Sequence, residues 1–102
     1  MRVISKRKIR EYLLEDSKAE LPFAEWYYRM RACTAKNFNE LKKFFNSIDV
    51  VGKYTIFDIA GNHYRLIAAI HYSSQSCYIR QIWRHAEYSK KTNQDKLNKG
   101  DL

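Results

Sequence analysis

Apolar residues recur every three or four positions through the first half of the chain, then alternate with polar ones through much of the second. Val3 and Ile4 in the opening MRVIS make a short candidate strand. Ser5 follows as the expected N-cap of a helix reaching about Leu14. Ile9, Tyr12 and Leu13 fall on one face of that helix, and Lys6, Arg7, Lys8, Arg10 and Glu11 fill the rest. The stretch EDSKAELP breaks the pattern. A second helix is expected over roughly 19–35, with Phe23, Trp26, Tyr27, Met30 and Cys33 in one stripe. Pro22 fits only a first turn, so a start near Leu21 competes with a capping box of Ser17 and Glu20. Asn37, with Glu40 three residues on, caps a third helix that turns Phe38, Leu41, Phe44 and Phe45 inward.

After NSIDVVGK the period becomes two. YTIFDI, HYRLIAAIHY and CYIRQIW read as strands, separated by the turns AGN and SSQS. Two tight connections predict an antiparallel meander of three strands. HAEYSKK suits a turn of helix, and TNQDKLNKGDL reads as a loose polar tail. Helices first and strands second predict an α+β fold, with the helical layer on one face of a small antiparallel sheet. The expected organisation is one domain over residues 1–90 and a flexible tail over 91–102. One sheet face is left uncovered, and an uncovered face is where function can sit.

Charge sharpens this picture. The 102 residues carry a net +8, spread over both halves, so anions and nucleic acid above all are the natural partners. Cys33 and Cys77 are far apart and lack CxxC or Cys/His spacing, which argues against zinc and for a reducing compartment. The N-terminus has no signal-peptide apolar run and no stretch approaches the ~20 residues of a membrane span, so a cytoplasmic protein is expected.

Strand alternation places His63, Arg65, Ile67, Ala69 and His71 on one face of the middle strand and Tyr64, Leu66, Ala68, Ile70 and Tyr72 on the other, where Leu66, Ala68 and Ile70 make the natural core face. In the last strand Tyr78, Arg80 and Ile82 share a side, opposite Cys77, Ile79, Gln81 and Trp83. Arg65 and Arg80 on neighbouring strands would form a cationic clamp for phosphate, depending on register. The alternative is that they form structural ion pairs with Asp58 or Glu87. His85 and Tyr88 lie one helical turn apart and could move protons or stack on a base. A Gly-rich phosphate loop, a nucleophile elbow and a metal-holding acidic cluster are all missing from the pattern. RNA cleavage, if it occurs, would therefore run without metal: the 2′-hydroxyl attacks the adjacent phosphate while arginine holds charge and histidine or tyrosine transfers protons.

The segments MRVISKRKIREYL, AEWYYRMRACTAKNFNELKKFF, SIDVVGKYTIFDIAGNHYRLIAAIHY and CYIRQIWRHAEY together resemble the HigB-type toxins of type II toxin–antitoxin systems, within the RelE-like superfamily. The resemblance runs from Met1 to about Lys90. It implies a RelE-like fold and an mRNA interferase, an endoribonuclease acting on messenger RNA, often on the translating ribosome. It also implies a HigA-type helix-turn-helix antitoxin as partner and no cofactor. By motif position Arg65, Arg80, His85 and Tyr88 would form the catalytic face. Lys53, Asn62, His63 and Arg84 would be RNA or phosphate contacts. The rival class is a non-catalytic basic RNA-binding or interaction module that keeps the fold and the partner.

Overall fold

A computed structural model describes residues 1–102. Strand β1 (Arg2–Ile4) leads into α1 (Lys6–Glu15). A 3₁₀ turn (Ser17–Ala19) joins α1 to α2 (Glu20–Ala32), and α3 (Phe38–Phe44) follows. Strands β2 (Ile48–Val51), β3 (Tyr54–Ile59), β4 (Tyr64–His71) and β5 (Ser76–Arg84) come next, then α4 (His85–Tyr88) and α5 (Lys91–Lys99). This is an α+β fold with a five-stranded mixed sheet in the order β1-β5-β4-β3-β2.

The expected meander is its centre, β3-β4-β5, all antiparallel. Two strands extend it beyond the expectation. β1 pairs with β5 in parallel, which only the long excursion through α1–α3 permits. IDVV forms β2 against β3, with Gly52 at φ 58 supplying the left-handed turn between them.

Local capping departs from the sequence reading at α1 and α2. Ser5 precedes α1 but adopts the left-handed conformation, and its side chain makes no cap bond because the chain is reversing out of β1 there. Asp16, not Ser17, caps the 3₁₀ turn, its carboxylate accepting from the Lys18 N–H at 3.2 Å. α2 then starts at Glu20 with Pro22 inside its first turn, and it ends at Ala32, short of the expected Ala35. At α3 the expected cap forms: Asn37 Oδ1 accepts from Glu40 N–H at 2.9 Å. Phe44, expected inside, is 38% exposed, while Leu41 and Phe45 are buried.

Helices α1–α3 cover one sheet face. Ile9, Phe23, Trp26, Met30 and Leu41 meet Phe57, Tyr64, Leu66, Ala68, Ile79 and Ile82 in a core of nineteen buried apolar residues. Edge-on aromatic contacts knit it, with Tyr12–Phe23 at 5.8 Å and Trp26–Phe57 at 5.3 Å between ring centres. Both cysteines are buried here, and burial pushes the Cys77 thiol up to about 12, so it stays protonated.

The opposite face is not left open. Tyr54, Ile56, Ile67, Ala69 and Trp83 form a second small core closed by Leu97 of α5. The segment expected as a loose tail is therefore a helix, and it is anchored beyond its end too: the Leu102 N–H donates to Tyr54 Oη at 2.9 Å. Its one buried leucine is what a composition reading passes over.

Candidate functional site

The β3–β4 hairpin sets Arg65 directly opposite Asp58, and β5 sets Trp83 on its other side. Arg65 is only 8% exposed. Its Nε lies 2.9 Å from Asp58 Oδ1, Nη1 donates to the Tyr64 carbonyl at 3.2 Å, and Nη2 donates to Asn62 Oδ1 at 3.3 Å. The guanidinium carbon sits 5.3 Å from the centre of the Tyr88 ring. A buried cation needs partners of this kind, since desolvation without them is costly. Burial pushes the Asp58 carboxyl above its ordinary range; Arg65 and, more weakly, His85 pull the other way, and Asp49 adds to the rise.

Helix α4 carries the two residues expected to move protons. The His85 N–H donates to the His63 carbonyl at 3.0 Å, tying α4 to the turn between β3 and β4. His85 is exposed, with Nδ1 3.1 Å from Ser89 Oγ and no protein hydrogen bond at Nε2. Tyr88 is half-buried, packed 6.4 Å from Trp83 and beneath Arg65. The next helix braces it: Asn93 Nδ2 donates to the Glu87 carbonyl at 2.7 Å, and Gln94 Nε2 donates to the Tyr88 carbonyl.

Arg80 is placed by a β-bulge. Gln81 pairs with Ile67 and Ile79 with Ala68, so Arg80 is the unpaired extra residue. The bulge also corrects the expected facing of β5. Ile82 joins Cys77 and Ile79 in the large core, while Trp83 joins the opposite face with Tyr78, because one inserted residue reverses the alternation. Arg80 stays exposed, its guanidinium 5.6 Å from the Tyr78 ring centre and without an ion pair. It lines a polar cavity of about 230 Å³ with Lys8 and Tyr12 and with three carboxylates, Glu11, Glu15 and Glu87.

The structure thus groups Arg65, Asn62, His85 and Tyr88 at one end of the second face, and the turn residue His63 belongs to the same end through its carbonyl. Arg80 lies on that face but three residues back from Trp83, the partner of Arg65. That is about 10 Å along the strand, so the two guanidiniums are not one adjacent clamp. Arg84 points to the helical side instead. Its Nη2 is 3.3 Å from Asp16 Oδ2, to which the Tyr64 hydroxyl also donates at 3.0 Å, and this knot holds the end of α1 to the sheet. Lys53 sits at the far end of β3, beside Gly100 and 5.5 Å from the Tyr54 ring centre. Asp58 is the residue that sequence reasoning undervalued, naming it only as a possible ion-pair partner. The hairpin register and the alternation of YTIFDI already place it across from Arg65.

No cluster of three or more His, Cys, Asp or Glu side chains is arranged to hold a metal ion, and no helix is long and apolar enough to cross a membrane. A mixed sheet backed by N-terminal helices, with arginine, histidine and tyrosine gathered at one end of its second face, defines a small α+β protein of the RelE-like kind. Residues 19–91 match the model of the HigB toxin family, described as the RelE-like toxic component of a toxin–antitoxin system, and the chain belongs to that family. Over 56 residues it is 38% identical to the mRNA interferase toxin HigB of Escherichia coli (strain K12), covering 52% of this chain and 54% of that protein. The match to the mRNA interferase HigB of Shigella flexneri has the same extent, so the chain spans about half the length of these relatives. An mRNA interferase HigB of Escherichia coli O6:H1 is 26% identical over 102 residues, covering 97% of this chain and 99% of the relative.

Proposed function

We propose that the chain is the toxin of a type II toxin–antitoxin system and cuts messenger RNA without a metal ion, with a HigA-type helix-turn-helix antitoxin as partner and the translating ribosome in the cytoplasm as its setting. The observation that carries this reading is the gathering of His85, Tyr88 and the Tyr88-stacked Arg65 at one end of the face that also bears the unpaired Arg80. Imidazole is the side chain best suited to proton transfer near neutrality. In the proposed step the RNA 2′-oxygen attacks the adjacent phosphorus and the P–O5′ bond breaks. This leaves a 2′,3′-cyclic phosphate and a 5′-hydroxyl. His85 and Tyr88 exchange the two protons, from the 2′-hydroxyl and to the departing 5′-oxygen. Arg80, which forms no ion pair, takes the phosphate charge. Arg65, already bonded to Asp58 and Asn62, holds the Tyr88 ring and adds positive potential.

The test is to express the wild type, Arg80→Ala, His85→Ala and Tyr88→Phe in bacteria and map RNA 5′ ends alongside growth. Growth arrest with new 5′-hydroxyl ends inside reading frames, absent from the folded variants, is expected. Intact messages with a folded wild type would instead leave a non-catalytic RNA-binding module.

A further inference from the structure

The helical hairpin is unlike the rest of the molecule in charge and in what it exposes. Five of the eleven acidic side chains lie between Glu11 and Glu25, against the single Lys18, on a chain whose net charge is +8. Glu15, Glu20 and Glu25 form no ion pair; the three pairs present are Arg7–Glu11, Arg65–Asp58 and Arg84–Asp16. The two most exposed large apolar residues stand among them: Leu14, 88% exposed in the last turn of α1, and Leu21, 80% exposed in the first turn of α2. The helices run back to back, with Lys6 4.4 Å from the Tyr27 ring centre and Tyr12 5.8 Å from Phe23, so both leucines lie at the hairpin's turn end.

Leu21 also forms the lip of a cavity of about 280 Å³ between α2 and the end of β3, lined by Pro22, Trp26, Phe45 and Ile59, with Glu25, Arg29 and Asp58 at its polar rim. Trp26 is 3% exposed and its indole N–H has no partner. Arg29 donates to the Phe44 carbonyl and stacks 4.6 Å over Phe45, which holds its guanidinium against α3, and Asp58 is paired with Arg65. The charges left exposed without an ion pair next to Leu21 are the carboxylates of Glu20 and Glu25. An exposed leucine at the mouth of an apolar groove, with exposed carboxylates that form no ion pair beside it, fits a partner segment that brings a large apolar side chain flanked by Lys or Arg. RNA is the wrong occupant, because phosphates would meet carboxylates here.

We propose that the turn end of the α1–α2 hairpin, centred on Leu21 and its groove, is the surface that docks the antitoxin, through a basic, apolar-bearing segment of it. This rests on the antitoxin partner proposed above and is independent of the cutting chemistry. It separates the partner's docking surface from Arg80, His85 and Tyr88.

The test measures binding of the cognate antitoxin to purified wild type, Leu21→Lys, Glu20→Lys/Glu25→Lys and, as an exposed apolar control elsewhere, Val50→Lys, each confirmed folded by its thermal midpoint. Leu21→Lys and the charge reversal should each weaken binding about tenfold or more, Val50→Lys should not, and cutting by the free toxin should persist in all. The charge reversal leaves every apolar contact in place, so it tests the surface even if Leu21→Lys folds poorly. Unchanged affinity in the folded variants overturns the proposal. So does a loss of RNA binding with antitoxin affinity intact, or a wild-type dimer that Leu21→Lys dissociates while the antitoxin still binds. A wild type that binds no antitoxin defeats the partner reading itself, a result distinct from all of these.

Discussion

The two faces of the sheet are built for different purposes. One is packed by three helices into nineteen buried apolar residues, and even its tyrosines are turned to aromatic contact. The other has a core of six, closed by a single leucine of a short polar helix, and beyond that core stand Arg65, Arg80, Tyr88 and His85. A cation on the first face would displace methyl groups that hold the fold. On the second face it costs less, because Asp58, Asn62 and the Tyr64 carbonyl bond it. The same division separates the arginines: Arg65 is buried and bonded, while Arg80 is lifted out of the ladder by a bulge and left free.

The comparison predicts a hierarchy. Leu66→Ala, in the helical face, should destabilise by about 3–4 kcal/mol in urea denaturation, against about 2 kcal/mol for Leu97→Ala, whose thin surroundings can relax. Equal losses would mean that both faces are equally packed. Arg65→Ala should cost about 3 kcal/mol, since it strands the Asp58 carboxylate, and it should abolish RNA cutting through the misplaced Tyr88. Arg80→Ala should change stability by less than about 0.5 kcal/mol yet lose cutting, with RNA affinity that falls less steeply with salt. A stable, active Arg80→Ala protein would remove the phosphate role. On the helical side, Asn37→Ala deletes the α3 cap and should cost about 1 kcal/mol by the same denaturation measurement.

The smallest effect is in pH. Burial raises the folded-state pKa of Asp58 above the ordinary carboxylate value, so the folded chain holds that proton more tightly than the unfolded one. Stability relative to Asp58→Asn should therefore be lowest above the raised value. It should increase as pH falls towards the unfolded value near 4. A difference that shrinks with falling pH would show that the Arg65 pair, rather than burial, dominates this carboxylate.

Much of this was legible in the chain. The stripe from Phe23 to Met30, the Asn37 cap and the alternation of Tyr64–Ile70 follow from local periodicity, and periodicity survives folding. Arg65 could be placed on the face opposite Leu66 because strand alternation needs no knowledge of neighbours. Its ion pair with Asp58 was open as one alternative and became definite only with hairpin register. IDVV was too short to declare itself as β2, since an edge strand of four residues takes its structure from its partner.

The sequence by itself determined the α+β order, the apolar faces, the basic charge and the kinds of side chain available for chemistry, because these depend on spacing within a few residues. Tertiary structure alone decided that β1 returns beside β5, that Arg80 is an inserted bulge residue and that Arg84 bonds to Asp16 on the helical side. It also decided that the polar tail folds over the second face as α5. Each of these is a pairing between distant parts of the chain, where the burial of one residue, such as Leu97, outweighs the composition of the segment that carries it.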